Sequence, residues 1–182
     1  WGKLVGGMNG LMEAVAGPVN ELIAILKLMA VNDLTKKMDK EYSGVWNDLK
    51  HATNDVNAQL SRIYETVVNV GNGNLIDLNE YKKVGRRSEN DELVPGFIKM
   101  IEAIQRLADD AGMLAGAAVE GKLDTRADAT RHEGDFRKII EGVNDTLDAV
   151  IGPLNIAAEY IDRISKGDIP PKITETYNGD FN

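Results

Sequence analysis

The chain has 182 residues, of which 43% are hydrophobic and 5% aromatic, and its formal net charge is −8. This charge argues against nucleic acid as a partner, because phosphate contacts need clustered Lys and Arg. The chain has no Cys, which excludes disulfides and thiolate metal sites. No apolar run reaches the ~18 residues that a membrane span needs, so we expect no direct insertion of this segment into a membrane.

Apolar residues recur at alternating steps of three and four along four stretches of the chain, which we call seams. The seams occupy residues 1–29, 46–70, 93–118 and 136–164. A mean step of 3.5 keeps a narrow stripe on one helix face, as in coiled coils. The sequence therefore predicts four long helices, and because one chain alone cannot bury such stripes, it also predicts a dimer.

Three linkers separate the seams, at residues 31–44, 72–91 and 121–134. They exceed the ~2–8 residues of tight helical connections. Each can therefore run back along one helix and start the next helix parallel to it. Each seam ends near a residue that tolerates the left-handed conformation that closes a helix. These residues are Asn32, Gly73, Gly121 and Gly167.

Two apolar residues in each linker are candidates for anchoring it in the groove of a helical bundle. The first lies two positions after the helix-ending residue, and the second lies about four positions further on. In the second linker the second position is open between Leu78 and Asn79. The candidate pairs are Leu34 and Met38, Leu75 and Leu78, Leu123 and Ala127, and Ile169 and Ile173.

The dipeptides Gly17-Pro18 and Gly152-Pro153 lie inside two of the predicted helices. Pro removes a backbone donor and strains the preceding turn, so a helix break at each site is one alternative. The seam keeps its phase through both sites, and Leu22 continues it after Pro18. This favours a continuous helix with a local distortion.

The end of the chain repeats its beginning. Residues 136–182, aligned on residues 1–47 at an offset of 135, give 13 identical positions without a gap. Both Gly-Pro dipeptides align, and so do Tyr42 and Tyr177. Such self-similarity predicts copies of one supersecondary unit rather than a single enzyme domain.

No motif in the chain predicts catalysis, metal binding or a cofactor. His51 falls on a predicted helix and His132 just before one, and lone histidines are expected at the surface. The run 71–74 has no third Gly and no flanking strand, unlike a dinucleotide loop. We therefore expect no enzyme activity, no catalytic residue, no metal ligand, no bound small molecule and no cofactor.

Together these features resemble a HAMP domain, the signal-relay module of bacterial chemoreceptors and sensor histidine kinases. The linker run 121–127 matches the family pattern of Gly, a hydrophobic residue two positions on, and a second one four positions later. Asp91, Glu92 and Leu93 resemble the Asp-Glu-hydrophobic start of the family's second helix. Three further segments resemble tandem HAMP units of methyl-accepting chemotaxis proteins, namely 134–144, 152–155 and 167–171.

The resemblance covers the whole chain and implies the helix that ends one unit, three complete units, and the front of a further unit. The implied boundaries are 1–16, 17–60, 61–106, 107–151 and 152–182. The implied fold is all-α, with parallel homodimeric four-helix bundles, two helices per chain, joined end to end into an elongated coiled-coil rod. The second linker is longer than is usual in the family. The Asp-Glu pair is absent from the ends of the first and third linkers, at Gly44 and Gly134.

The resemblance also implies a function in a chemoreceptor. The chain would relay conformational change from a sensory input to a kinase-control domain, through alternating packings of the dimeric bundle. The implied partner is a second copy of the chain, with kinase and adaptor reached only through domains outside this segment, and the implied location is the cytoplasmic part of a receptor. The alternatives are the HAMP array of a sensor histidine kinase and a passive coiled-coil spacer. The implied relay residues are Pro18, Leu22, Leu34, Met38, Leu75, Leu78, Asp91, Glu92, Leu123, Ala127, Gly152, Pro153, Ile169 and Ile173.

The spacing of the helices differs from unit to unit. From the start of each second helix to the next helix-ending residue we count 29, 30 and 33 residues. A difference of four residues is a stutter, which shifts helix phase locally. The sequence therefore predicts that successive junctions differ and that adjacent units alternate in conformation.

Overall fold

The computed structural model describes residues 1–177 and 179–181. Its regular structure is helical throughout these residues, with no strand among them, so the predicted all-α class is confirmed. Asn178 and Asn182, which belong to the predicted unit 152–182, lie outside the described residues. The five α-helices are α1 (Gly2–Met29), α2 (Val45–Gly71), α3 (Asp77–Val84), α4 (Leu93–Val119) and α5 (Gly134–Ser165). Single turns of 3₁₀ helix occupy Ala129–Arg131 and Gly179–Phe181.

The four long helices end in the same way. The predicted helix-ending residues have positive φ angles of 63° at Asn32, 74° at Gly73, 75° at Gly121 and 82° at Gly167. The Gly121 N–H donates to the Ala118 carbonyl at 3.1 Å, and the Lys122 N–H donates to the Ala117 carbonyl, five residues earlier, at 2.8 Å. This Schellman pattern recurs at all four ends and satisfies carbonyls that the helix leaves unpaired. The predicted helix ends are therefore confirmed.

Both internal prolines lie within continuous helices. Pro18 is inside α1 and Pro153 is inside α5. Pro18 is buried, and Pro153 is half-buried beside the buried Ile151. The continuous helix that the phase of the seam predicts is confirmed at both sites, and the alternative of a helix break is wrong.

The chain divides into two compact units, Trp1–Asp77 and Leu78–Asn182. In the first unit, α1 packs on α2 and the linker between them contributes to the core. In the second unit, α4 packs on α5 with the third linker in the same role. The first core consists of Ile25, Met29 and Met38, surrounded by Leu22, Leu34 and Tyr42. The second consists of Leu114, Ala127 and Ile140, surrounded by Leu107, Ala129 and Leu147.

The first linker runs backwards along both of its helices. On the α2 side, the Leu34 carbonyl accepts a hydrogen bond from Asn57, and the later Met38 carbonyl accepts one from the earlier Asn54. On the α1 side, Met38 packs near the helix end, whereas the later Tyr42 reaches back to Glu21. A linker antiparallel to both helices makes α1 and α2 parallel to each other, as its length predicts.

The third linker has the same course between α4 and α5. Its early residues meet the end of α4 and a later part of α5, and its last residues meet earlier parts of both helices. The second pair of helices is therefore parallel as well. The contacts that show this are Ala127 with Leu114, His132 with Asp110, Arg126 with Asp148, and His132 with Arg137.

The second linker contains a helix that the sequence did not predict, the eight-residue α3. Its buried residue is Tyr81, 4% exposed, which stacks on Phe97 with ring centroids 5.4 Å apart. Leu78 is half-buried and Asn79 is exposed, so Tyr81 rather than either candidate is the buried residue of this helix. An eight-residue helix carries too few apolar positions to show a period in the sequence.

The lengths and apolar content of the helices bear on the membrane expectation. Among the described residues, no helix combines the length and the hydropathy that crossing a bilayer requires.

Candidate functional site

The linker core of the first unit is centred on Met38. This side chain is 1% exposed and packs against Ile25 and Met29 of α1. Leu34 and Leu22 lie half-buried at its edge. The linker is thus held by apolar burial, and any shift of α1 along its axis displaces the side chains around Met38.

A side-chain amide fixes the backbone of the buried linker residue. The Met38 N–H donates to Asn54 Oδ1 at 3.0 Å, and Asn54 Nδ2 donates to the Met38 carbonyl at 3.0 Å. A linker without regular structure must find partners for its buried backbone groups. Asn54 supplies both partners from α2, so the linker is bound to the second helix through its main chain.

The second unit repeats this arrangement. The Ala127 N–H donates to Asn144 Oδ1 at 3.1 Å, and Asn144 Nδ2 donates to the Ala127 carbonyl at 2.8 Å. Sequence reasoning missed both Asn residues, although a signal was present. Asn54 and Asn144 each lie ten residues after a positive-φ Gly, Gly44 and Gly134 respectively.

The remaining predicted linker anchors differ in exposure. Ala127 is 5% exposed, whereas Leu123 is 39% exposed and Ile173 is 38% exposed. Ile169 is almost fully exposed at 84%. The structure therefore brings Leu22, Leu34 and Met38 together in one core and Ala127 into another. Of the first anchors of the later linkers, Leu75 is half-buried, whereas Leu123 and Ile169 are exposed.

Asp91 caps α4. Its Oδ1 accepts hydrogen bonds from the Leu93 N–H at 3.0 Å and the Val94 N–H at 3.2 Å, and its Oδ2 accepts one from the Arg87 N–H at 2.9 Å. These bonds, that from Arg87 foremost, lower the pKa of the Asp91 carboxyl. Glu92 is exposed and forms an ion pair with Arg86 at 3.1 Å. Asp91 thus fixes the start of α4, while Glu92 pairs with the linker.

A carboxylate on α1 holds the far end of the first linker. The Tyr42 hydroxyl donates to Glu21 Oε2 at 2.5 Å, and the Asp39 N–H donates to Oε1 at 3.2 Å. Hydrogen bonding to Glu21 is the main cause that raises the pKa of Tyr42 to about 12. Partial burial acts to raise the pKa of Glu21, but the bonds from Tyr42 and Asp39 together outweigh it and the pKa is lowered.

His132 is buried, which corrects the expectation of a surface histidine. Its Nε2 lies 2.7 Å from Asp110 Oδ2, and the two side chains are 1% and 8% exposed. Arg131 approaches the other Asp110 oxygen at 3.4 Å. The sequence shows a His just before a helix, but not that the linker folds back along α4 and places it against a carboxylate. His51 is exposed, as expected.

The polar groups of the site do not resemble a metal centre. Over residues 1–177 and 179–181, no group of three or more His, Asp or Glu side chains is arranged to hold a metal ion. Gly152, the other predicted residue at the second Gly-Pro site, is exposed on α5. The arrangement as a whole positions linkers between parallel helices.

Comparison with known proteins supports the resemblance drawn from the sequence. The family model described as HAMP domain matches residues 1–62 and 131–182, more than half of the chain. No curated protein matches the chain. The parallel helices, the packed linkers and this match agree, and the chain belongs to the HAMP domain family, whose members are signal-relay linkers in chemoreceptors and histidine kinases.

Proposed function

We propose that this chain relays a conformational signal within a chemoreceptor of the methyl-accepting type, as a parallel homodimer and without catalytic activity of its own. In this proposal a sensory input displaces the entering helices, and each unit passes its packing state to the next through a shared helix. The kinase and the adaptor are reached through other domains of the receptor, and the segment lies in the receptor's cytoplasmic part.

The observation that carries the proposal is the exposure of the seams in the single chain. Although the linkers are packed, many seam residues face outward on every long helix. They include Val5, Met8, Met12 and Val15 on α1, Val56 and Val67 on α2, Leu93 and Met100 on α4, and Val143, Val150, Leu154, Ile161 and Ile164 on α5. A second, parallel copy presents the same stripes in the same order and can bury them.

A relay needs an element with two discrete arrangements, because packed cores switch between packings rather than deform smoothly. Here the linker is bound to both helices of its unit, through Met38 to α1 and through Asn54 to α2. Rotation or translation of one helix is therefore transmitted to the other through the linker core. A passive spacer has no need of such a buried linker.

The choice of a chemoreceptor over a histidine kinase rests on the similarity of segments 134–144, 152–155 and 167–171 to tandem HAMP units of chemotaxis proteins. The full-length sequence separates the two. A long hairpin rich in Gln and Ala after the segment supports the chemoreceptor. A phosphate-accepting His followed by an ATPase domain instead makes the segment a kinase linker.

Cross-linking tests the parallel homodimer. Val67 lies on the exposed stripe of α2, and Glu65 lies about 200° away around the same helix, since each residue contributes about 100°. In this Cys-free chain, Val67→Cys should cross-link to its twin, and Glu65→Cys should serve as the unreactive control. Equal yields from the two variants, or a monomeric mass at micromolar concentration, would contradict the dimer.

A further inference from the structure

The two units hold the far ends of their linkers with equivalent pairs of residues. Glu21 lies eleven residues before the helix-ending Asn32, and Asp110 lies eleven residues before Gly121. Their partners Tyr42 and His132 each lie two residues before a positive-φ Gly at which the next helix begins. The same two positions are thus joined in both units, although neither residue type is the same.

The geometry of the two pairs is similar. The donor–acceptor distances are 2.5 Å for Tyr42 to Glu21 and 2.7 Å for His132 to Asp110. In each pair the carboxylate is largely buried, with 12% of the side chain exposed for Glu21 and 8% for Asp110. In each pair a basic linker residue stands nearby, Lys40 at 3.6 Å from Glu21 and Arg131 at 3.4 Å from Asp110.

The corresponding positions before Gly73 and Gly167, where the other two long helices end, carry different residues. In the last unit, Ile156 lies eleven residues before Gly167, and Tyr177 corresponds to Tyr42. No carboxylate is present at 156, and the Tyr177 hydroxyl instead donates to Glu175, two residues away, at 2.8 Å. Eleven positions before Gly73 stands Arg62, a basic residue rather than a carboxylate.

We propose that Glu21–Tyr42 and Asp110–His132 are two copies of one positioning device, a latch that ties the end of the linker to the first helix. The latch acts about 12–14 Å before the end of the first helix, since Glu21 and Asp110 lie eight and nine residues before Met29 and Val119. It therefore fixes the linker at the end opposite its Schellman turn. The assignment of these four residues to the relay rests on the proposed function.

A latch at both ends of the linker restricts its motion relative to the first helix. A linker that is held only by its Schellman turn keeps more freedom at its other end. The latch thus couples movement of the first helix to the end of the linker, where the next helix begins.

Amide hydrogen exchange on the dimeric chain tests the latch. Tyr42→Phe should speed exchange of the first-linker amides about ten- to hundredfold, because a hydrogen bond to a charged group is lost. Tyr177→Phe removes the equivalent hydroxyl from a residue without a helix carboxylate, and should leave exchange unchanged. Equal effects of the two substitutions would overturn the latch.

The His132 pair offers a rescue that a merely structural role would not give. Asp110→Asn and His132→Phe should both speed exchange of residues 122–133, and His132→Tyr should restore protection by reproducing the pair in the first unit. Failure of His132→Tyr to protect the linker better than His132→Phe would count against the equivalence. Asp110→Asn preserves the size of the side chain and serves as the second variant if His132→Phe does not fold.

The strictest test introduces the latch where the chain lacks it, at the last linker. Ile156→Glu should create a latch with Tyr177 and slow exchange of the last linker, and adding Tyr177→Phe should abolish that gain. A gain that survives Tyr177→Phe would show that the new carboxylate acts otherwise. Because exchange requires no receptor output, loss of protection without a change in kinase control would refute the proposed relay and not the latch itself.

Discussion

Truncation of Met38 measures how much the linker core contributes to stability. Met38→Ala removes a side chain that is 1% exposed and packs between Ile25 and Met29. Truncating a fully buried Met to Ala costs about 2–5 kcal/mol, since it loses both transfer free energy and packing. For a chain of this size, each kcal/mol lowers the melting temperature by roughly 2–4 °C. We therefore expect a decrease of about 4–20 °C.

The matched control for Met38→Ala is Ile169→Ala. Ile169 is a linker residue too, but it is 84% exposed, and substitutions at exposed positions usually change stability by less than about 0.5 kcal/mol. Both variants should be melted by circular dichroism at the same protein concentration, because the melting temperature of a dimer depends on concentration. Equal melting temperatures for Met38→Ala and the parent would show that the linker is a loose loop, and would refute the argument.

Three further results follow from the structure. Asn144→Ala should destabilise the second unit by about 1–3 kcal/mol in urea unfolding, because the buried main chain of Ala127 loses its partners; an unchanged midpoint would contradict this. In the folded chain the pKa of Asp91 is lowered from its ordinary value of 3.8. The stability that the ionised carboxylate contributes is therefore complete above pH 3.8 and is lost as the pH falls through the pKa of the folded state. Asp91→Asn should weaken the fall in unfolding free energy at acid pH, and an unchanged fall would argue against the cap. Gly121→Ala should destabilise the chain because its φ is +75°, whereas Gly112→Ala within α4 should stabilise it by up to about 1 kcal/mol; the reverse order of midpoints would be inconsistent with the helix end.

The sequence predicted the four long helices and their ends because both depend on local signals. A 3.5-residue period marks each long helix, and Asn32 and the corresponding glycines mark where it closes. The parallel course also followed from a local quantity, the length of the linker. Met38 was predicted to be an anchor because it lies at a fixed distance from Asn32.

The polar contacts of the linkers were not predicted because they join residues distant in sequence. The bond between His132 and Asp110 spans 22 positions, and that between Asn54 and Met38 spans 16. Neither residue type nor spacing within one unit identifies such a pair. Comparison of the internal repeats could have found them, since the offsets of Asn54 and Asn144 from their preceding glycines are equal. Tyr81 was missed because its linker has no equal elsewhere in the chain.

The central claim, that the segment transmits helix packing, is tested most directly by a pair of deletions in α4 of the full-length receptor. Removing residues 102–108 takes out one heptad and leaves the stripe within about 20° of its direction, whereas removing residues 102–104 turns it by about 300°. Kinase activity should be measured with and without stimulus at matched expression. We predict that the heptad deletion retains a response and that the three-residue deletion locks or inverts it, with upstream dimerisation intact. An unchanged response from both deletions would make the segment a passive spacer.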